Sequence, residues 1–150
     1  VPGREHVEQA MLVRWLSLHP AWRDVPWFAV PNAARRGPAV AAMMKREGLR
    51  AGTPDLVVPV SVGRYGALFV EMKAAGGSLS DAQHVVLPAL ARAGNAVVVA
   101  RGFEAAQAAL EAYRLDRLVR AAREVARGVT RGYPPWWVVP ADATDATPPR

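Results

Sequence analysis

Three charged side chains lie on apolar runs of this sequence. Asp55 opens Asp55-Leu56-Val57-Val58, while Glu71 and Lys73 fall within Leu68-Phe69-Val70-Glu71-Met72-Lys73. Both runs read as buried strands, and a charge on a buried strand costs several kcal/mol unless something pairs with it. The strand period of two puts Glu71 and Lys73 on one side and turns Met72 into the core. Pairing of the two runs as a hairpin, joined by Ser61-Val62-Gly63-Arg64, would set Asp55 beside Glu71. Two carboxylates so close repel, and one pKa rises unless a cation lies between them. A hard divalent ion, Mg²⁺ or Mn²⁺, suits such a pair, with the Met72 carbonyl as a further oxygen. Lys73 at its edge would orient or deprotonate a water.

The composition bounds what such a site could serve. A chain of 150 residues, 51% of them apolar, makes one globular domain with a real core. The absence of cysteine excludes disulfides and thiolate metal sites and is compatible with a reducing cytoplasm. His6, His19 and His84 lack the spacing of a zinc hydrolase. No apolar stretch approaches a membrane span. Val1-Pro2-Gly3-Arg4 shows no signal peptide, and a start without Met reads as trimmed. A net charge of +6, carried mostly by arginine, points to a polyanionic partner, nucleic acid first. A GC-rich genome would leave the same composition.

The elements that must position these residues follow from periodicity and punctuation. Residues 5–18 read as a helix with Val7, Met11, Trp15 and Leu18 on one stripe and Leu12 and Leu16 beside it. A short strand over residues 27–30 precedes a loop holding Arg35 and Arg36. A helix over 38–47 ends at Gly48. After the hairpin, Ser80 and Gln83 form a capping box for a helix that runs to Ala93, with a kink expected at Pro88. His84 reads as a polar helix residue. A strand over 95–100 and a long helix from Phe103 follow. The helical pattern continues from Arg114 to Arg131, with Leu115, Leu118, Val119, Ala122, Val125 and Ala126 on one side and Arg120, Arg123, Arg127 and Arg131 opposite. Beyond Gly132, the Pro-rich tail with Tyr133, Trp136 and Trp137 should lack regular structure. Strands interleaved with helices imply an α/β fold, a mixed sheet covered on both faces. Residues 1–113 form the domain, and 114–150 extend it without making a second one.

The same residues resemble a known family. Pro54-Asp55 followed by Glu71-Met72-Lys73 looks like the PD-(D/E)xK nuclease signature. Four further stretches resemble one branch of it, the VRR-NUC (virus-type replication-repair nuclease) domain. They are Glu5-x-x-x-Gln9, Pro31-Asn32 with Arg35-Arg36, Gly48-Leu49-x-x-Gly52-Thr53-Pro54-Asp55, and Gly76-Gly77-x-Leu79-Ser80-x-x-Gln83. Coverage runs from about Glu5 to Tyr113. Thr53 departs from the small aliphatic residue expected there.

The resemblance implies a restriction-endonuclease-like core and metal-dependent hydrolysis of DNA, leaving a 3′-hydroxyl and a 5′-phosphate. Asp55, Glu71 and the Met72 carbonyl would hold Mg²⁺ or Mn²⁺, Lys73 would be the catalytic lysine, and Gln83 would position water, phosphate or Lys73. Glu5, with Gln9 one turn on, is the preferred acid of the first helix; Glu8, flanked by apolar residues, is its rival. Gln9, Asn32, Arg35, Arg36 and Lys45 are expected to contact DNA. The substrate expected is branched DNA, a four-way junction or a flap. Junction cleavage would require two sites and hence a homodimer, with the C-terminal helix as the dimer element. No small-molecule cofactor and no membrane partner are expected, and the compartment expected is the cytoplasm of a bacterial or phage-infected cell. For Trp136 and Trp137, docking on the domain or a partner competes with base stacking. Two other readings stay open: a DNA-binding module that does not cut, and an interaction subunit of a phage replication or packaging complex.

Overall fold

The computed structural model describes residues 3–33, 36–128 and 135–148. The chain begins with helix α1 (Arg4–Leu18), strand β1 (Phe28–Ala29) and helix α2 (Pro38–Arg46). Strands β2 (Leu56–Val58) and β3 (Leu68–Lys73) form the expected hairpin, closed at its tip by the Val62–Tyr65 bridge. Helix α3 (Asp81–Arg92) crosses to strand β4 (Ala96–Arg101). Helices α4 (Phe103–Arg114) and α5 (Leu118–Gly128) and strand β5 (Trp136–Val138) complete the chain.

The sheet order is β1-β2-β3-β4-β5. Only β3 and β4 run parallel; the other neighbours are antiparallel, so the sheet is mixed. Period-two alternation divides the interior into two cores. Leu68, Val70, Met72, Val98, Ala100 and Trp136 meet Leu12 and Leu16 of α1 and Leu110 and Tyr113 of α4. On the opposite face Val97, Val99 and Trp137 meet Leu87 and Ala91 of α3. A strand such as β4, buried on both faces, reads as a continuous Val/Ala run for this reason.

Three expectations need correction. In α1 the buried residues are Leu12 and Leu16, whereas Val7, Met11 and Leu18 are exposed. Leu12 and Leu16 share a face with Glu5, Glu8 and Gln9 at i−3, i−4 and i−7 spacings; of the expected stripe only Trp15 packs against the core they belong to. The long C-terminal helix is two helices. Asp116 adopts φ +53, Arg117 N–H donates to the Ala112 carbonyl (2.8 Å) and Asp116 N–H to that of Tyr113 (3.0 Å). This is a Schellman-type stop with Asp in the place glycine usually takes. The break folds α5 back, so that Leu118, Ala121, Ala122 and Val125 pack on the first core. Finally, the Pro/Trp tail is not irregular: Trp136–Val138 pairs with β4 and caps that edge of the sheet. Trp136 and Trp137 are each 2% exposed, which removes them from base stacking and makes them core residues. Tyr133 lies outside the described residues.

Candidate active site

The β2–β3 register pairs Leu56 with Val70, and one further step sets Asp55 across from Glu71. The Asp55 carboxylate is locked there, because its Oδ2 accepts the Met72 N–H at 2.8 Å. Buried Pro54 precedes it, and the Val30 N–H donates to the Asp55 carbonyl at 2.9 Å, tying this strand start to the β1 edge. With Met72 turned into the first core, Glu71 and Lys73 project onto the face covered by α3.

Gln83 reaches them from the first turn of α3. Ser80 caps that helix: its hydroxyl accepts the Gln83 N–H at 3.2 Å, and the Ser80 N–H donates to Gln83 Oε1 at 2.9 Å. With its oxygen engaged by the cap, the Gln83 amide nitrogen faces Glu71 and donates to Oε1 at 2.5 Å. One capping box thus fixes a helix start and aims a side chain into the site. Gly52 makes the approach of the preceding loop feasible. It adopts φ +84, and a Cβ there would lie 2.5 Å from the Ala82 carbonyl oxygen, so only glycine lets the loop lie against the start of α3.

Glu71 is the centre of the arrangement. It is 2% exposed. Its Oε1 accepts from Gln83 and pairs with Lys73 Nζ at 3.0 Å, while its Oε2 is buried without a partner. Burial pushes the carboxyl up, to about 8, and the Asp55 charge adds to the rise; Lys73 and Gln83 pull the other way. A buried carboxylate oxygen with no donor, beside a second carboxylate, is a costly arrangement for the protein alone. A divalent cation would satisfy both carboxylates, so the donor set fits one. Among the described residues no group of three or more acidic, histidine or cysteine side chains could hold an ion. Asp55 and Glu71 are therefore two acidic donors, and an ion held by them would need backbone or water oxygens as well.

The site opens into a cleft of about 580 Å³ that Asp55, Glu71, Lys73 and Gln83 line together with Glu5, Asn32, Lys45 and Arg50. Its outer wall includes α2, which has no buried residue and begins at Pro38 after Gly37. The chain's two lysines, Lys45 and Lys73, both face this cleft. Of the first-helix acids, Glu5 lines it. Glu8 is turned instead toward Gly102, where a Cβ would come within 3.2 Å of its Oε1, and pairs with Arg4 at 3.5 Å. Gln9 is half-buried and Arg36 exposed, and neither lines the cleft. Arg35 lies outside the described residues. Arg50 was missed from the sequence; its signal was a basic residue within the glycine-bounded run into Asp55. His84 is structural: its Nδ1 accepts the Ala146 N–H at 3.3 Å and ties the tail to α3.

The family model of the VRR-NUC domain matches residues 4–104. A solved structure described as a VRR_NUC domain protein is similar to this chain over 75% of its length and 89% of its own, at 27% identity and a TM-score of 0.62. No curated protein matches the chain. The matched span runs from α1 into α4 and includes every residue of the Asp55–Glu71–Lys73–Gln83 cluster. The chain belongs to the VRR-NUC domain family, a family of nucleases.

Proposed function

We propose that this protein is a metal-dependent endonuclease that hydrolyses DNA phosphodiester bonds and selects branched DNA by structure. The observation that carries the proposal is the unpartnered, buried Oε2 of Glu71, on a carboxylate whose other oxygen pairs with Lys73 and whose strand position lies across from Asp55. Asp55, Glu71 and the Met72 carbonyl would hold Mg²⁺ or Mn²⁺, with Glu5 on the cleft wall nearby. Bound there, the ion supplies charge neutralisation on the scissile phosphate and the leaving oxygen.

The chain's own residues do the rest. Lys73, held by Glu71, orients the attacking water as an ammonium donor, or as the neutral amine, its proton passed to Glu71, takes the proton of that water. Gln83 keeps the Glu71 carboxylate fixed, and through it Lys73. Asn32, Lys45 and Arg50 line the cleft where the flanking phosphates would run. Contacts of that kind position the backbone and carry no base readout, which supports selection by shape rather than by sequence. The products expected are a 3′-hydroxyl and a 5′-phosphate.

Cutting both strands of a four-way junction requires two sites and therefore a homodimer. Leu118, Ala121, Ala122 and Val125 of α5 pack within their own subunit, so a dimer built on this helix would use the side they leave free. The test is a panel of labelled substrates, namely duplex, single strand, 5′ flap, 3′ flap and four-way junction, with Mg²⁺ or Mn²⁺ and with chelator. The proposal expects metal-dependent cleavage that favours the branched substrates. Binding without cleavage by wild type under every condition would leave a DNA-binding module.

A further inference from the structure

A second cavity, of about 810 Å³, lies at the other end of the sheet. Tyr65, just before β3, and Asn95, just before β4, line it. Glu71 and Lys73 stand at the carboxyl end of β3, so roughly a strand's length, about 20 Å, separates the two. Val119, Ala122 and Ala126 of α5, with Val138 of β5, give the cavity an apolar floor. Its size falls within the range of about 300–1,000 Å³ typical of binding sites.

Four arginines, Arg64, Arg92, Arg123 and Arg127, stand around this floor, and none of the described residues lining it is acidic. Elsewhere on the two C-terminal helices arginines are neutralised locally: Arg114 pairs with Glu111 at 2.7 Å and Arg120 with Glu124 at 3.0 Å. Arg123 and Arg127 are exposed and take part in no ion pair among the described residues. Arg64 and Arg92 bond only to uncharged oxygens, the Tyr65 hydroxyl and the Ala143 carbonyl, both at 3.1 Å. Four positive charges around one concavity, with no ion-pair partner among the described residues, focus a field that attracts an anion. The floor decides which anion. A phosphate backbone gains nothing from Val119 or Ala122, whereas an acidic peptide fills an apolar floor with its own side chains and sets its carboxylates on the guanidinium rim.

We propose that this cavity docks an acidic, apolar peptide segment of a partner protein, at a distance from the cleavage site. The test is fluorescence anisotropy with a short labelled peptide of Asp, Leu and Phe, compared with the same peptide carrying Asn for Asp and with a labelled oligo(dT). Two variants accompany the wild type. Arg123→Glu/Arg127→Glu reverses the rim, and Ala122→Trp fills the floor while leaving the charge intact. Urea melts establish that each is folded. The acidic peptide should bind wild type at least about tenfold more tightly than its Asn form and lose at least about tenfold with either variant. Equal binding of the two peptides, or unchanged binding by whichever variants fold, overturns the proposal. So does oligo(dT) binding that depends on Arg123 and Arg127 with no binding of the acidic peptide, which would make this a nucleic-acid surface.

Discussion

Replacing Glu71 with Gln removes the one buried charge on which the site turns, and the structure sets the size and sign of the result. The side chain is 2% exposed, and its carboxyl is raised from an ordinary 4.5 to about 8, mainly by burial and then by Asp55. Between those values the folded protein holds a proton that the unfolded chain has released, so stability falls as pH rises through the window. Each pH unit is worth about 1.4 kcal/mol, giving a ceiling on the order of 5 kcal/mol. Loss of the charge that balances Lys73 offsets part of it. We therefore expect Glu71→Gln, in chelator, to match wild type near pH 4.5 and to exceed it by about 1–3 kcal/mol at pH 8.5. Gln is close to isosteric with Glu, and its carbonyl can accept from Lys73 and Gln83 as Oε1 does. The assay is urea unfolding of both proteins from pH 4.5 to 8.5, with the difference between them cancelling other titrations. Mn²⁺ should stabilise wild type increasingly as pH rises and leave the variant unchanged. A pH-independent difference, or a variant less stable than wild type at pH 8.5 without metal, would refute the reasoning.

Further outcomes follow from the same geometry. Lys73→Ala should reduce cleavage by about 10²–10⁴-fold while Mn²⁺ still raises its stability, because the two carboxylates remain; the checks are plasmid nicking and thermal melts. Ser80→Ala and Gln83→Ala should each cost about 1 kcal/mol through the cap. Only Gln83→Ala should also slow cleavage, because the Ser80 backbone N–H still orients the Gln83 amide when the hydroxyl is gone. Gly52→Ala places a methyl against the Ala82 carbonyl at a positive φ, so it should cost about 2 kcal/mol or more by urea melt and reduce cleavage as the loop shifts.

The site was more legible in the sequence than the periphery. Charged residues on β-rich apolar runs are rare enough to stand out, and the hairpin that joins Asp55 to Glu71 follows from alternation and turn residues alone. The Ser80–Gln83 box was readable because its chemistry is local, and so was the two-sided burial of β4. What failed depended on tertiary choice. In α1 two apolar stripes compete, and the sheet takes Leu12 and Leu16 while leaving Val7, Met11 and Leu18 outside. The stop after α4 had no glycine to mark it, since Asp116 tolerates the left-handed region. Trp136-Trp137-Val138 is too short and too closely flanked by proline to declare itself a strand. The open edge of β4 makes it one. Glu5 and Glu8, a turn apart, could be separated only once the helix was seen against Gly102 and the cleft.

The most direct measurement is a crystal of the wild-type protein soaked in Mn²⁺ and recorded at a wavelength where manganese scatters anomalously. A peak is expected within coordination distance of Glu71 Oε2 and an Asp55 oxygen, with Lys73 alongside. No peak there at saturating Mn²⁺, or a peak elsewhere in the molecule with Glu71 Oε2 still without a partner, would contradict it.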